Sequence, residues 1–157
     1  MRQPSATPSV RARLLGSWRM IDWKVFRGGE TIDPPLGPAT ACTGLLIYTG
    51  EGTMSANLTL AERAPFADGS LDGGTQQERA EAYRSIISYA GTYEVDEPTA
   101  TVVHHVKIAT FPNFVGADLT RTCVFEDENT LKLDTPPMKM GGEPLGSHIL
   151  WQRKGAR

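Results

Sequence analysis

In the stretch TATVVHHVKIATFPNFVG, residues 99–116, two of the chain's three histidines stand side by side as His104 and His105. The stretch is rich in β-branched residues and reads as a strand. Successive strand side chains point to opposite faces, so the two imidazoles must have different surroundings. Val102, His104, Val106 and Ile108 share one face, and Thr101, Val103, His105 and Lys107 share the other. The first face is more apolar, which places His104 inside and His105 outside. A β-bulge would swap them. An imidazole in an apolar enclosure is a candidate general acid or base.

The next strand, residues 117–125, puts Leu119, Arg121, Cys123 and Phe125 on one face. An arginine there is costly to bury unless it is paired. Arg121 therefore calls for an anion: Asp22, Glu94, or a carboxylate or enolate on a ligand. A structural ion pair and an oxyanion anchor both remain open. Tyr48, Tyr89 and Tyr93 are amphipathic strand residues whose hydroxyls need partners when buried. Tyr48 and Tyr93 are candidate donors to a ligand carbonyl, with Met54 as an apolar contact. Phe111-Pro112-Asn113-Phe114 joins the histidine and arginine strands. Its aromatics either pack a rim or frame a ligand portal.

Metal chemistry finds no support, because His104 and His105 diverge and no H-x-H or H-x-x-x-H occurs. Phosphate-binding glycine loops and a G-x-S-x-G elbow are also missing from the sequence, so no cofactor is expected.

The elements that must position these residues are mostly strands. Residues 17–27, 43–49, 53–60, 90–95, 100–109, 117–125, 130–134 and 147–153 read as strands. Residues 31–43, 61–74 and the stretch with Pro136-Pro137 and Gly141-Gly142 read as loops. Thr75-Gln76-Gln77-Glu78 forms a capping box. Ala80, Tyr83, Ile86, Ile87 and Ala90 follow at helical spacing, predicting one amphipathic helix of about three turns. Short strands with close turns imply an all-β, antiparallel sandwich or barrel. About eight strands in a barrel can enclose one small ligand.

The 157 residues fit a single domain, here residues 14–154. Residues 1–13, with Pro4, Ser5, Thr7, Pro8 and Ser9, read as a disordered lead-in. Sixteen Lys and Arg oppose 18 Asp and Glu, for a net charge of −2. That balance argues against nucleic acid as a partner. No apolar run reaches signal-peptide or membrane-span length, which predicts a cytoplasmic protein away from membranes. Cys42 and Cys123 match no C-x-x-C pattern and read as apolar fillers. The sequence leaves open whether the chain is a monomer or a homo-oligomer.

Gly16-Ser17-Trp18 on the first strand and Trp151-Gln152-Arg153 on the last form a G-x-W and W-x-R pair. With LIYTGEGTMSA, ISYAGTYEV, VVHHV and FPNFVG between them, the chain resembles the small lipocalin-like domain proteins, calycin-type barrels, over residues 14–153. The resemblance implies an antiparallel lipocalin-like β-barrel of about eight strands with one inserted helix. It further implies that Trp18 closes one end with Arg153 over its ring, so Met20 and Asp22 should share the inward face. Relatives in that group bind apolar molecules or act as isomerases or cyclases, so the resemblance supports fold more than activity. The inserted helix and the missing signal peptide and disulfide pair separate the chain from secreted lipocalins.

Two functions follow as expectations. The first is a cofactor-independent isomerase, cyclase or dehydratase acting on a small apolar or amphipathic natural product. His104 would move the proton, Asp22 would pair with it, and Arg121 would steady negative charge. Met20, Tyr48, Met54, Tyr93, Phe111, Asn113 and Phe114 would contact the substrate. The second is a binding protein in which the same groups anchor a ligand. An acid–base pair such as Asp22 with His104 would favour the enzyme.

Overall fold

A computed structural model describes residues 6–155 of the chain. Its elements run α1 (Val10–Leu14), β1 (Gly16–Arg27), β2 (Glu30–Ile32), β3 (Cys42–Tyr48), β4 (Thr53–Leu60), α2 (Gln76–Arg84) and β5 (Ile86–Asp96). They continue with β6 (Thr101–Ala109), β7 (Asp118–Phe125), β8 (Thr130–Met140) and β9 (Glu143–Arg153). Among the described residues no helix is long and apolar enough to cross a membrane.

Every strand pairing is antiparallel, and β9 returns to β1 from Trp18↔Arg153 to Phe26↔Gly146. The sheet is thus a closed barrel of eight strands, with short β2 as an extra strand flanking β1. Closure leaves eight strands without a long open edge and turns alternate side chains inward. The core follows that alternation, with Trp18, Leu46, Tyr48, Met54, Val102, Val106 and Leu131 almost fully buried.

Bulges decide which residues face in. In β1 the pairing with β9 skips a residue between Met20 and Asp22. An extra residue reverses the faces beyond it. Trp23 and Val25 therefore point inward, and Asp22 does not. A second register shift lies between Ala90 and Gly91, where Lys107 is the extra residue of β6. Beyond it Ile108, expected on the inner face, is 67% exposed. Gly91 is required there: a Cβ would sit 2.0 Å from the His105 carbonyl oxygen.

Three further expectations are corrected. The lead-in read as disordered is partly structured, since Val10–Leu14 is helical and Leu14 is fully buried. The Glu97 carboxylate accepts from the Val10 and Arg11 amides at 2.7 and 3.0 Å, and negative charge suits a helix N-terminus. Residues 1–5 lie outside the described residues. The capping box is present, but α2 stops at Arg84 rather than near Ala90. Ile86 and Ile87 instead pair with Thr59 and Leu58, where β-branched side chains suit a pleated sheet. The loop expected around Pro136-Pro137 is a long β8–β9 hairpin. The two prolines fall at its register shift between Thr135 and Met138, where no ladder donor is needed.

Candidate functional site

Strand alternation on β6 buries His104 to 1% exposure. Two hydroxyls from other strands reach its ring in the barrel interior. Tyr48 from β3 lies 2.7 Å from Nε2, and Tyr89 from β5 lies 2.9 Å from Nδ1. Both ring nitrogens are therefore engaged. Burial pushes the His104 imidazole down to about 3, helped by the nearby Arg121 charge and then His105. The ring is neutral at pH 7. Tyr48, fully buried beside it, is raised well above the usual phenol range by the same desolvation.

Arg121 sits on the inner face of β7, diagonal to His104, and is half-buried. One guanidinium nitrogen donates to the Thr120 carbonyl at 2.8 Å. Burial raises the Tyr89 hydroxyl, while the charge and hydrogen-bonding reach of Arg121 act against it. Neither expected carboxylate reaches Arg121. Asp22, turned out by the β1 bulge, accepts from the Trp23 amide and lies 3.7 Å from Lys24. Its expected pairing with His104 is therefore corrected, because β1 presents Trp23 to the interior instead. Glu94 lies on the outer face and binds His105.

His105 faces out, held by Asp118 at 2.7 Å on Nδ1 and Glu94 at 3.0 Å on Nε2. Asp118 first and Glu94 second raise its pKa. A raised histidine stabilises the fold fully below the unfolded value near 6.5, and that share is lost as pH rises through the folded value. His105→Gln should remove this pH-dependent share, worth less than about 1 kcal/mol because the partners are exposed. Denaturant melts at pH 5.5 and 8.5 check it: the gap between wild type and variant should shrink at the higher pH.

These groups stand on one side of a cavity of about 420 Å³, within the range of small-molecule sites. His104, Tyr89 and Arg121 contribute to its lining. Leu46, Leu58, Leu133, Ile149, Trp23 and Trp151 give the wall its apolar character, and Phe111 and Phe114 stand at the turn after β6. Tyr83 and Arg84 extend the lining from α2. The indole N–H groups of Trp23 and Trp151 are buried without an acceptor among the described residues.

The other expected contact residues divide. Phe111 and Phe114 line the cavity and pack edge-on at 5.1 Å. Tyr48 reaches it only through His104. Met20, Met54 and Tyr93 are buried but belong to the packed core rather than the cavity wall. The Tyr93 hydroxyl donates to the Thr49 carbonyl at 2.7 Å, and Arg11 covers its ring. Asn113 is exposed on the turn. Trp23, Trp151, Leu133 and Ile149 were missed. Trp151 carried a signal, since it stands two residues before Arg153 on a strand whose inward face Arg153 shares.

A protein of Aspergillus oryzae (strain ATCC 42149 / RIB 40), named 4'-hydroxy-3'-methoxypropiophenone carrier protein ppsC, is 28% identical over 87 residues. The match covers 51% of this chain and 78% of that protein. Among solved structures, bovine odorant binding protein in complex with a selenium-containing odorant aligns at 13% identity and a TM-score of 0.48. That alignment covers all (100%) of this chain and 80% of the other. A redesigned beta barrel aligns at 13% identity and a TM-score of 0.46, over 96% and 99% of the two chains. The lipocalin-like domain model matches residues 15–154, and the chain belongs to that family.

Proposed function

We propose that the protein is a binding or carrier protein that holds one small, largely apolar molecule inside the barrel. The observation that carries this is the 420 Å³ cavity with apolar walls, lined in part by Phe111 and Phe114 of the turn after β6. The chemistry of the polar groups favours holding over turnover. His104 has both nitrogens occupied and an imidazole pushed down to about 3, far from the pH at which a general base works best. No carboxylate lines the cavity among the described residues. The carrier role in the name of the Aspergillus relative points the same way. The free thiols of buried Cys123 and half-buried Cys42 suit a reducing compartment such as the cytoplasm.

Ile87→Trp tests this reading, because Ile87 lines the cavity and an indole there fills it. Wild type should bind the neutral fluorophore N-phenyl-1-naphthylamine. The variant should bind at least about tenfold more weakly, with its melting temperature within a few degrees of wild type. Equal binding by both proteins would place the probe elsewhere and remove the reading.

Acid–base catalysis is the second reading. One observation favours it: Tyr89 and His104 both line the cavity within one hydrogen-bonded chain. Native mass spectrometry of freshly purified protein, followed by incubation in D2O, separates the two. A retained molecule that keeps its mass is cargo. One that gains deuterium on carbon only with the protein present is a substrate.

A further inference from the structure

The hydrogen count around His104 leaves one proton over. Tyr48, Tyr89 and a neutral imidazole bring three hydrogens to two hydrogen bonds. A neutral imidazole donates through one nitrogen and accepts through the other. If Nε2–H donated to Tyr48, the Tyr48 O–H would be left over in a place 1% exposed, with no second acceptor among the described residues. An unmet buried donor is disfavoured. The other tautomer has no such defect. Tyr48 donates to Nε2, Nδ1–H donates to the Tyr89 oxygen, and the spare hydrogen belongs to Tyr89, which lines the cavity.

Arg121 lies beside that hydroxyl with a single carbonyl contact and no carboxylate partner among the described residues. The lining also includes Arg84 and Lys139 and no acidic residue. Arg84 is compensated by Glu81 at 2.7 Å, but Arg121 is not. A partly desolvated guanidinium favours an anion that takes up its unused donors. Resting on the ligand-binding reading, we propose that the cavity selects apolar molecules carrying an anionic oxygen, a carboxylate, phenolate or enolate. That oxygen would be held by the Arg121 guanidinium and the Tyr89 hydroxyl, with the apolar body against Leu46, Leu58, Trp23 and Trp151.

Two isosteric probes test this: 2-naphthoate and 2-naphthamide share a ring and differ in the charge of the planar head group. Calorimetric titration at pH 7 should show wild type binding 2-naphthoate at least about tenfold tighter than 2-naphthamide. Arg121→Met should bring the two affinities to within about threefold of each other by weakening 2-naphthoate alone. Arg121→Lys, which keeps the charge, should keep part of the preference. Tyr89→Phe should weaken 2-naphthoate several-fold. If wild type binds 2-naphthamide as tightly as 2-naphthoate, or binds only N-phenyl-1-naphthylamine, anion selection is wrong and the carrier reading stands. If all three probes fail to bind, both readings fall together. The wild-type comparison decides the matter even if a variant does not fold.

Discussion

Trp18→Ala should lower the unfolding free energy by about 3–5 kcal/mol, as large-to-small changes in packed cores do. Trp18 is fully buried. Its indole N–H donates to the Leu14 carbonyl at 2.9 Å, so the ring joins β1 to the end of α1. The Arg153 guanidinium lies 4.2 Å from the ring centroid. Its two terminal nitrogens donate to the Leu15 and Arg13 carbonyls, each at 2.7 Å. One arginine thus covers the tryptophan and fastens the lead-in helix across the closed end. Truncating Trp18 removes the packing, the N–H bond and the surface on which Arg153 stacks. Urea unfolding followed by circular dichroism gives the number. A loss below about 1 kcal/mol would mean that the end of the barrel does not depend on this plug.

That closed end was legible because Gly16-Ser17-Trp18 and Trp151-Gln152-Arg153 are short, local and on strands with clear alternation. The β3–β4 hairpin was legible for the same reason, and the β4 bounds Thr53–Leu60 match those read from the sequence. What escaped depends on tertiary contacts. The bulge between Met20 and Asp22 lies just past the stretch where β1 pairs with both β3 and β9, and nothing in RMIDW marks it. It alone moves Asp22 out of the site and brings Trp23 in. Ile108 left the inner face through the shift opposite Gly91, which matters only once β5 and β6 are paired. The α1 helix has its acidic partner in Glu97, more than 80 residues away in sequence, so local composition could not reveal it. His104 was readable because the first six residues of β6 alternate cleanly before their bulge.

For the site, the sequence showed the inward histidine and arginine but not their partners. Tyr48 and Tyr89 converge on His104 from β3 and β5, a juxtaposition that strand order creates. An inward Arg121 suggested an inward carboxylate, by the rule that buried charges are paired. The barrel leaves it half-buried beside the cavity instead, where water or a ligand can reach it.

His104→Ala should be the second large loss, roughly 3–5 kcal/mol at pH 7, because it opens a void and leaves two buried tyrosine hydroxyls unpaired. The pH dependence is more diagnostic than the loss. A histidine whose folded pKa is depressed stays neutral while the unfolded chain takes up a proton. Folding is therefore penalised as pH falls from about 6.5 toward 3, by up to about 1.4 kcal/mol per pH unit. Wild-type stability should fall along this limb, and His104→Phe should flatten it. That variant keeps an aromatic ring of similar volume and has nothing to titrate, although it too should be less stable at pH 7. His105, held by Asp118 and Glu94, contributes with the opposite sign, since its pKa is raised. Comparing two proteins that differ only at residue 104 cancels that contribution. Stability is read from urea midpoints at half-unit steps between pH 4 and pH 7. Parallel curves would show that His104 takes up its proton at an ordinary pH in the folded state. The imidazole would then be able to carry a proton where an acid–base enzyme needs one, and the case for a passive carrier would lose its main chemical argument. Converging curves, with the wild type dropping faster, would show an imidazole fixed as a neutral hydrogen-bond bridge between Tyr48 and Tyr89. In that role it keeps the Tyr89 hydroxyl oriented toward the cavity without taking a proton from anything bound there.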